Sequence, residues 1–508
     1  MTKPLNIVIV GGGTAGWMTA AALVGIVTSK AVNVRLIESD TIGTVGVGEA
    51  TLPSLAKFNE RVGIFEPEMM KASAATFKLG IEFAGWRGDD SSYIHPFGAH
   101  GKSFGGVDFH HHWVRAGMPG NIEDYSYAIQ AARASRFDFP AEDPGAVNAT
   151  YDYAYHFDAG LYAAFLRRFA EKRGLRRTEG RIIDVQLDAE SGDIASLKLE
   201  NGEVITGDLF VDCSGFRSVL LGEALGCKYE SWKHWLPCDR AVAMACTSDG
   251  RPVPYTKATA RAAGWQWRIP LQHRTGNGYV YSSDHANDDM ALDTLCRHLD
   301  GEPLGDAKIL SFEAGRRQSS WYKNCVAIGL SSGFLEPLES TSIYLVQIGI
   351  VNLIDLLPGT GNNDALRTEY NRQVDMEYSR VRDFLILHYH ANGRHGEALW
   401  DHCRHMDIPD SLQEKIELFR HRGDIEQASF GLFSPPSWLA VFAGQGVVPQ
   451  NYNRLADNLD RDNIDQKMDA YRQSIASRVK TMPEHSYFLA DYCPSNVRAM
   501  AATKGGTA

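Results

Sequence analysis

No CxxC pair occurs in the sequence, no apolar run is long enough to span a membrane, and basic residues are in deficit. Eight cysteines (213, 227, 238, 246, 296, 325, 403 and 493) fall at irregular spacings, which gives neither a zinc-ligand pattern nor a disulfide framework. Buried, reduced thiols in a cytoplasmic protein are the expectation. Lys and Arg total 51 against 62 Asp and Glu, a net charge of −11, which argues against nucleic acid or an anionic membrane as partner. The apolar segment from Ile343 to Leu357 is interrupted by Gln347, Asn352 and Asp355. The N-terminus has no basic region before its short apolar run, so a signal peptide is not expected. Internal repeats and low-complexity linkers are also missing.

What is present starts at residue 7. Ile7-Val8-Ile9-Val10 runs into Gly11-Gly12-Gly13-Thr14-Ala15-Gly16-Trp17 and an alanine-rich segment. This spacing predicts strand, tight turn and helix: Gly11 for the turn, Gly13 for backbone approach to a pyrophosphate, Gly16 for close helix–strand packing. The phosphates would lie at the helix N-terminus, where free N–H groups favour negative charge. A second strand, Val32 to Ile37, ends in Glu38, 22 residues beyond Gly16, where a carboxylate grips a ribose hydroxyl. Together these elements predict dinucleotide binding.

Further along, Thr44-Val45-Gly46-Val47-Gly48-Glu49-Ala50-Thr51-Leu52-Pro53 reads as a loop entering a helix whose first turn holds Pro53. Phe77, Leu79, Ile81 and Phe83 alternate as one face of a strand, leaving Lys78, Gly80 and Glu82 opposite; taken alone, Lys78 reads as a solvated strand lysine. Tyr93 to Gly98 reads as a loop holding His95 and Phe97 around Pro96. His110-His111-His112 cannot easily face one ion, so no metal is expected. Residues 181–216 and 239–283 read as sheet, including Gly264-Trp265-Gln266-Trp267-Arg268-Ile269-Pro270 with both tryptophans on one face. An apolar strand at 325–328 leads through Gly329-Leu330-Ser331-Ser332-Gly333 to Phe334-Leu335-Glu336-Pro337-Leu338-Glu339-Ser340-Thr341-Ser342 at the head of a helix, either an anion site or ordinary capping. Helices are expected at 343–357, 364–388, 410–421 and 463–480.

Taken together, these motifs resemble the flavin-dependent halogenases of the tryptophan halogenase family over nearly the whole chain. The resemblance rests on the Gly11–Trp17 turn, Gly46-Val47-Gly48-Glu49-Ala50-Thr51, Phe77-Lys78-Leu79-Gly80, His95-Pro96-Phe97-Gly98, the Trp265/Trp267 element and Phe334 to Thr341. It implies an α/β, two-dinucleotide-binding-type FAD flavoprotein fold: residues 1–350 would bind FAD and halide, and a mainly helical module over 351–508 would cover the substrate. FAD contacts are implied at Gly11, Gly13, Thr14, Ala15, Gly16, Glu38, Ala50, Val185, Leu330 and Ile343. Halide would sit at the amides of Thr341 and Ser342. His95, Pro96 and Phe97 would wall an indole. Lys78 would hold the electrophilic halogen, delivered as hypohalous acid, and Glu339 would accept the ring proton or orient the acid at the substrate.

The resemblance further implies FADH2 from a separate, transiently acting flavin reductase, a small aromatic substrate, and chloride or bromide as co-substrate; a homodimer is compatible with it. Two departures stand out. Ser342 replaces the glycine common in enzymes that act on free tryptophan, narrowing the halide site. Residues 435–446 carry no Tyr pair, and no Glu occurs between Glu426 and Glu484, so the clamp for an amino-acid zwitterion is missing. Looser selection among indoles is expected. A flavin hydroxylase of the same fold and a non-catalytic FAD-binding redox protein are the alternatives.

Overall fold

The computed structural model describes residues 3–28, 30–40, 48–359, 363–426, 431–495 and 497. Gly46 and Val47 of the Gly46–Thr51 motif lie outside the described residues. Two compact units interleave along the chain. One comprises Met1–Ala75, Phe157–His234 and Phe312–Ser379; the other comprises Thr76–His156, Trp235–Ser311 and Arg380–Ala508.

The first unit is built on a six-stranded sheet in the order Trp321–Tyr322, Cys325–Ala327, Leu209–Asp212, Leu5–Val10, Val32–Glu38, Arg176–Glu179. All neighbours are parallel except the Trp321–Tyr322 edge. A central parallel strand is covered on both faces, which accounts for the unbroken run Ile7-Val8-Ile9-Val10, each residue 5% exposed or less. The helix Thr14–Ile26 follows, with Ala20, Ala21, Ala22 and Leu23 fully buried. Strand Leu209–Asp212 joins this sheet in register with Ile7–Val10. The strands Ile182–Leu187, Ile194–Leu199 and Val204–Ile205 form a separate antiparallel meander.

The second unit holds a seven-stranded sheet in the order Pro303–Ser311, Arg240–Cys246, Thr275–Tyr281, Gly264–Pro270, Thr256–Arg261, Gly80–Ala84, Ser92–Pro96. Its one parallel pairing joins Thr256–Arg261 to Gly80–Ala84. Helices Ala398–His405, Asp410–Arg422, Pro435–Gly444, Arg461–Lys480 and His485–Tyr492 belong to the same unit. Gly444 permits helix Pro435–Gly444 to press on strand Ser92–Pro96, since a Cβ there would lie 2.2 Å from the Tyr93 ring.

Several local expectations are corrected. The single strand read over Phe77–Phe83 is two strands, Thr76–Lys78 and Gly80–Ala84, in different sheets. The break falls at Leu79, whose N–H donates to Pro254 O and whose carbonyl accepts from Phe97 N–H. His95 and Pro96 lie on a strand, not a loop, with His95 opposite Ile81. Pro53 precedes helix Ser54–Val62 as its N-cap. All eight cysteines are free, but Cys296 is exposed and Cys227 only half-buried. The four expected C-terminal helices appear within two residues of their expected ends, as Ser342–Asp355, Asp364–His390, Asp410–Arg422 and Arg461–Lys480. Among the described residues no helix is long and apolar enough to cross a membrane.

Candidate functional site

In the first unit the glycine turn is fixed by close approach. Gly11 has φ +113°, and a Cβ there would lie 2.2 Å from Cys213 O; at Gly16 a Cβ would lie 1.9 Å from Gly11 O. Gly13 differs: a Cβ built on it meets nothing within 4 Å. Gly13 caps helix Thr14–Ile26 without a side-chain capping bond, and the first turn carries no acid. The amides at Thr14, Ala15 and Gly16 therefore head a helix with open space before it, which fits a pyrophosphate.

Glu38 ends strand Val32–Glu38 with its carboxylate against Gly12, where a Cβ would lie 1.5 Å from Oε2. The Arg177 Nε–H donates to Glu38 Oε1 at 2.6 Å, and the Trp17 indole N–H donates to Oε2 at 3.3 Å. Arg177 is a residue that sequence reasoning missed, because it reaches Glu38 from the neighbouring strand and not by spacing. Leu330 is partly exposed, and the adjoining Gly329 lies against Ala15 and Val346, so the loop after Cys325–Ala327 meets the glycine turn and the Ser342–Asp355 helix. Ala50 and Ile343 are buried, and Val185 is half-buried against the core around Val8, Val10 and Leu197. Beside Ala50, burial pushes the Glu49 carboxyl up to about 7.

The segment after the last parallel strand forms the second part of this unit's site. Glu339 is fully buried at the end of the 3-10 turn Pro337–Glu339. Ser340 takes a left-handed conformation (φ 60°), a mild strain for a non-glycine residue, and Thr341 and Ser342 start the helix Ser342–Asp355. Thr341 makes no side-chain capping bond, and among the described residues its buried Oγ1 has no hydrogen-bond partner. Capping thus does not explain this Ser/Thr run, and a small anion fits the amides and hydroxyl left there.

The second unit brings together Lys78, His95 and Phe97. Lys78 ends strand Thr76–Lys78 with 0% of its surface exposed, and its ammonium lies 4.9 Å from the centre of the Phe97 ring. A buried cation over an aromatic face gains about 2 kcal/mol, only part of its desolvation cost. The solvated lysine that local alternation suggests is thereby corrected. His95 and Phe97 meet edge to face at 6.5 Å, and Pro96 separates them at the strand end. Strand Ser92–Pro96 is held by Glu123, whose Oε1 accepts from Ile94 N–H at 2.7 Å while Oε2 pairs with Arg133 at 2.5 Å. His100 lies near His95 and His110; burial and both imidazoles push its pKa down to about 3.

Three ring residues join this wall that sequence reasoning did not assign to it. Phe384 meets His95 at 5.6 Å, stacks on Phe433 at 3.8 Å and meets Trp438 edge to face at 5.0 Å. Their signal was weak: single aromatics on helical or irregular segments read as core. Of the histidine triple, His110 Nε2 bonds to Gly423 O at 2.7 Å and His111 faces Asp424 at 3.6 Å. Among the described residues no group of three or more His, Cys, Asp or Glu is arranged to hold a metal ion.

Comparison with known proteins gives the family. The tryptophan halogenase family model matches residues 6–461. Tryptophan 6-halogenase SttH from Streptomyces toxytricini is 36% identical over 96% of this chain and 98% of its own length. Among solved structures, Xcc4156, a flavin-dependent halogenase from Xanthomonas campestris, superposes with TM-score 0.94 at 46% identity, covering 98% of this chain and 100% of that one. BrvH, a flavin-dependent halogenase from Brevundimonas sp. BAL3, gives 0.93 at 44% identity, covering 97% and 100%. Nearly complete coverage by a family model, together with the glycine turn and the buried lysine, places this chain in the tryptophan halogenase family of flavin-dependent halogenases.

Proposed function

We propose that the protein halogenates an indole, or another electron-rich aromatic without an amino-acid head group, using halide and FADH2 supplied by a separate flavin reductase in the cytoplasm. Bound reduced FAD supplies the oxidation by dioxygen that turns chloride or bromide into hypohalous acid. Gly11, Gly13, Thr14, Ala15, Gly16, Glu38, Ala50, Val185, Leu330 and Ile343 hold the flavin, and the Thr341 and Ser342 amides hold the halide. Lys78 hydrogen-bonds hypohalous acid through its ammonium and orients the halogen toward the ring. As the carbon–halogen bond forms, the halogen–oxygen bond breaks, and the departing hydroxide takes a proton from the Lys78 ammonium to leave as water, the ammonium being restored from solvent. Glu339 accepts the proton lost from the ring carbon.

The observation that carries this reading is the burial of the Lys78 ammonium over Phe97, beside the wall of His95, Phe384, Phe433 and Trp438. Rings on this wall suit a flat aromatic ligand. The missing zwitterion clamp in residues 427–483 supports a substrate without carboxylate and ammonium groups.

The test is aerobic turnover with FAD, a generic flavin reductase and NADH, offering indole and free tryptophan separately with bromide or chloride. A halogen mass shift on indole with little on tryptophan is expected. Efficient halogenation of tryptophan at one position would overturn the substrate assignment. Hydroxylated product without halogen would overturn the reaction.

A further inference from the structure

Thr76 and Lys78 share one face of their strand, and the side chain of Thr76 is tied into a buried chain of hydrogen bonds. Thr76 Oγ1 lies 2.7 Å from Pro270 O, a carbonyl that only accepts, so the Thr76 hydroxyl proton is spent there. His156, directly opposite Thr76 on strand Ala154–Asp158, places Nδ1 at 2.9 Å from the same oxygen. Nδ1 is then the donor, and the bare Nε2 accepts from the Thr256 hydroxyl at 3.0 Å. The direction is fixed from end to end: Thr256 to His156 to Thr76 to Pro270. Both His156 and Thr76 are fully buried.

A second imidazole holds the outer edge of the same strand. Phe77 N–H points away from strand Ala154–Asp158 and donates to His485 Nε2 at 3.2 Å, while His485 Nδ1–H donates to Pro252 O at 2.7 Å. Burial and the Lys78 charge hold His156 well below the usual histidine range, and burial pushes His485 down to about 4. Two neutral imidazoles therefore grip a three-residue strand whose last side chain is a buried ammonium.

We propose that His156 is a positioning residue for Lys78: its Nδ1–H bond to Thr76 fixes the strand so that the ammonium stays over Phe97 and holds hypohalous acid toward the substrate instead of losing it to water. This rests on the role given to Lys78 above. A displacement of about 1 Å at a group that positions a reagent costs as much as a hundredfold, so a modest shift of this strand has a readable effect.

His156→Asn and His156→Gln separate the two ends of the ring. Asparagine keeps an N–H donor near the position of Nδ1, toward Thr76; glutamine keeps a polar group near Nε2, toward Thr256, and leaves Thr76 without its donor. The measurement is halogenated indole formed from bromide, compared with free hypobromous acid trapped in solution by taurine. His156→Gln is expected to bind FAD and make hypobromous acid as the unaltered enzyme does, while its yield of bromoindole falls about tenfold and taurine haloamine rises in proportion. His156→Asn is expected to lose less than about threefold. Equal loss in both variants with no change in leakage, or no loss in either, would overturn the proposal. Should His156→Gln fail to fold, Thr76→Val removes the same bond with His156 in place; leakage as in His156→Gln is expected, and unaltered leakage overturns the proposal. Failure of the unaltered enzyme to halogenate any aromatic would reject the reading of Lys78 itself, a distinguishable result.

Discussion

At the glycine turn the chain offers its ligand backbone; around Lys78 it offers side chains. The amides at Thr14, Ala15 and Gly16 head a helix behind Gly13, and what makes the site is the lack of Cβ atoms at Gly11 and Gly16. Charge there is paired and partly wet, as where Glu38 meets Arg177. Lys78 instead sits in a dry setting made by Phe97 and by imidazoles kept neutral. A backbone site tolerates change in its surroundings but none in its glycines. A side-chain site places one charge among rings that come from distant segments, and each ring can be altered separately.

The comparison breaks most sharply at Lys78. Lys78→Ala is expected to lower aromatic halogenation by about a thousandfold or more, while FAD affinity, read by fluorescence quenching, stays unchanged. Retained halogenation would mean that the buried ammonium is structural. At the glycine turn the matched pair is Gly16→Ala and Gly13→Ala. The first drives a Cβ to 1.9 Å from Gly11 O, and loss of FAD affinity by about a hundredfold with a lower melting temperature is expected. The second adds a Cβ that touches nothing in the protein, so the apoprotein should melt as before while FAD binds about tenfold more weakly. Unaltered FAD affinity in Gly13→Ala would move the pyrophosphate away from this turn.

Next in size is Phe384→Ala. Phe384 touches His95, Phe433 and Trp438, so truncation opens a cavity and costs about 3 kcal/mol of stability. If these rings receive the substrate, KM for indole rises about tenfold, while hypohalous acid production does not change. A stability loss with KM unmoved would reduce the wall to core packing.

The same contrast explains what could be read from the sequence. The turn at Gly11–Gly16 and Glu38 were legible because strand, turn, helix and strand are local, and spacing carries their geometry. Lys78 was not legible from its own segment. Alternation from Phe77 to Phe83 describes one strand with a wet face, whereas the chain changes sheets at Leu79, and both strands are buried. Only resemblance singled out Lys78. Phe384, Phe433 and His156 were missed because each is placed by tertiary contact: a buried histidine between two threonine hydroxyls has no sequence pattern. His95 was found, but on a strand where a proline had suggested a loop.

The smallest effect sharpens the contrast from the first unit's side, at Glu49. Its carboxyl is raised from an ordinary 4.5 to about 7 by burial. Below pH 4.5 the folded and unfolded chains both hold this proton, and the group contributes no slope. Between 4.5 and about 7 the unfolded chain releases it and the folded chain keeps it, so the folded state binds more protons and stability falls as pH rises. Above 7 both are ionised and the slope ends, after a total loss of up to about 3 kcal/mol. Glu49→Gln cannot release a proton, so urea titrations of its apoprotein at pH 5 and pH 8 should differ less than those of the unaltered protein. At pH 8 the variant should be the more stable of the two. An unchanged pH slope in Glu49→Gln would assign the dependence to other groups. The expected result would set a carboxyl that burial keeps protonated in one unit against an ammonium that burial surrounds with rings in the other.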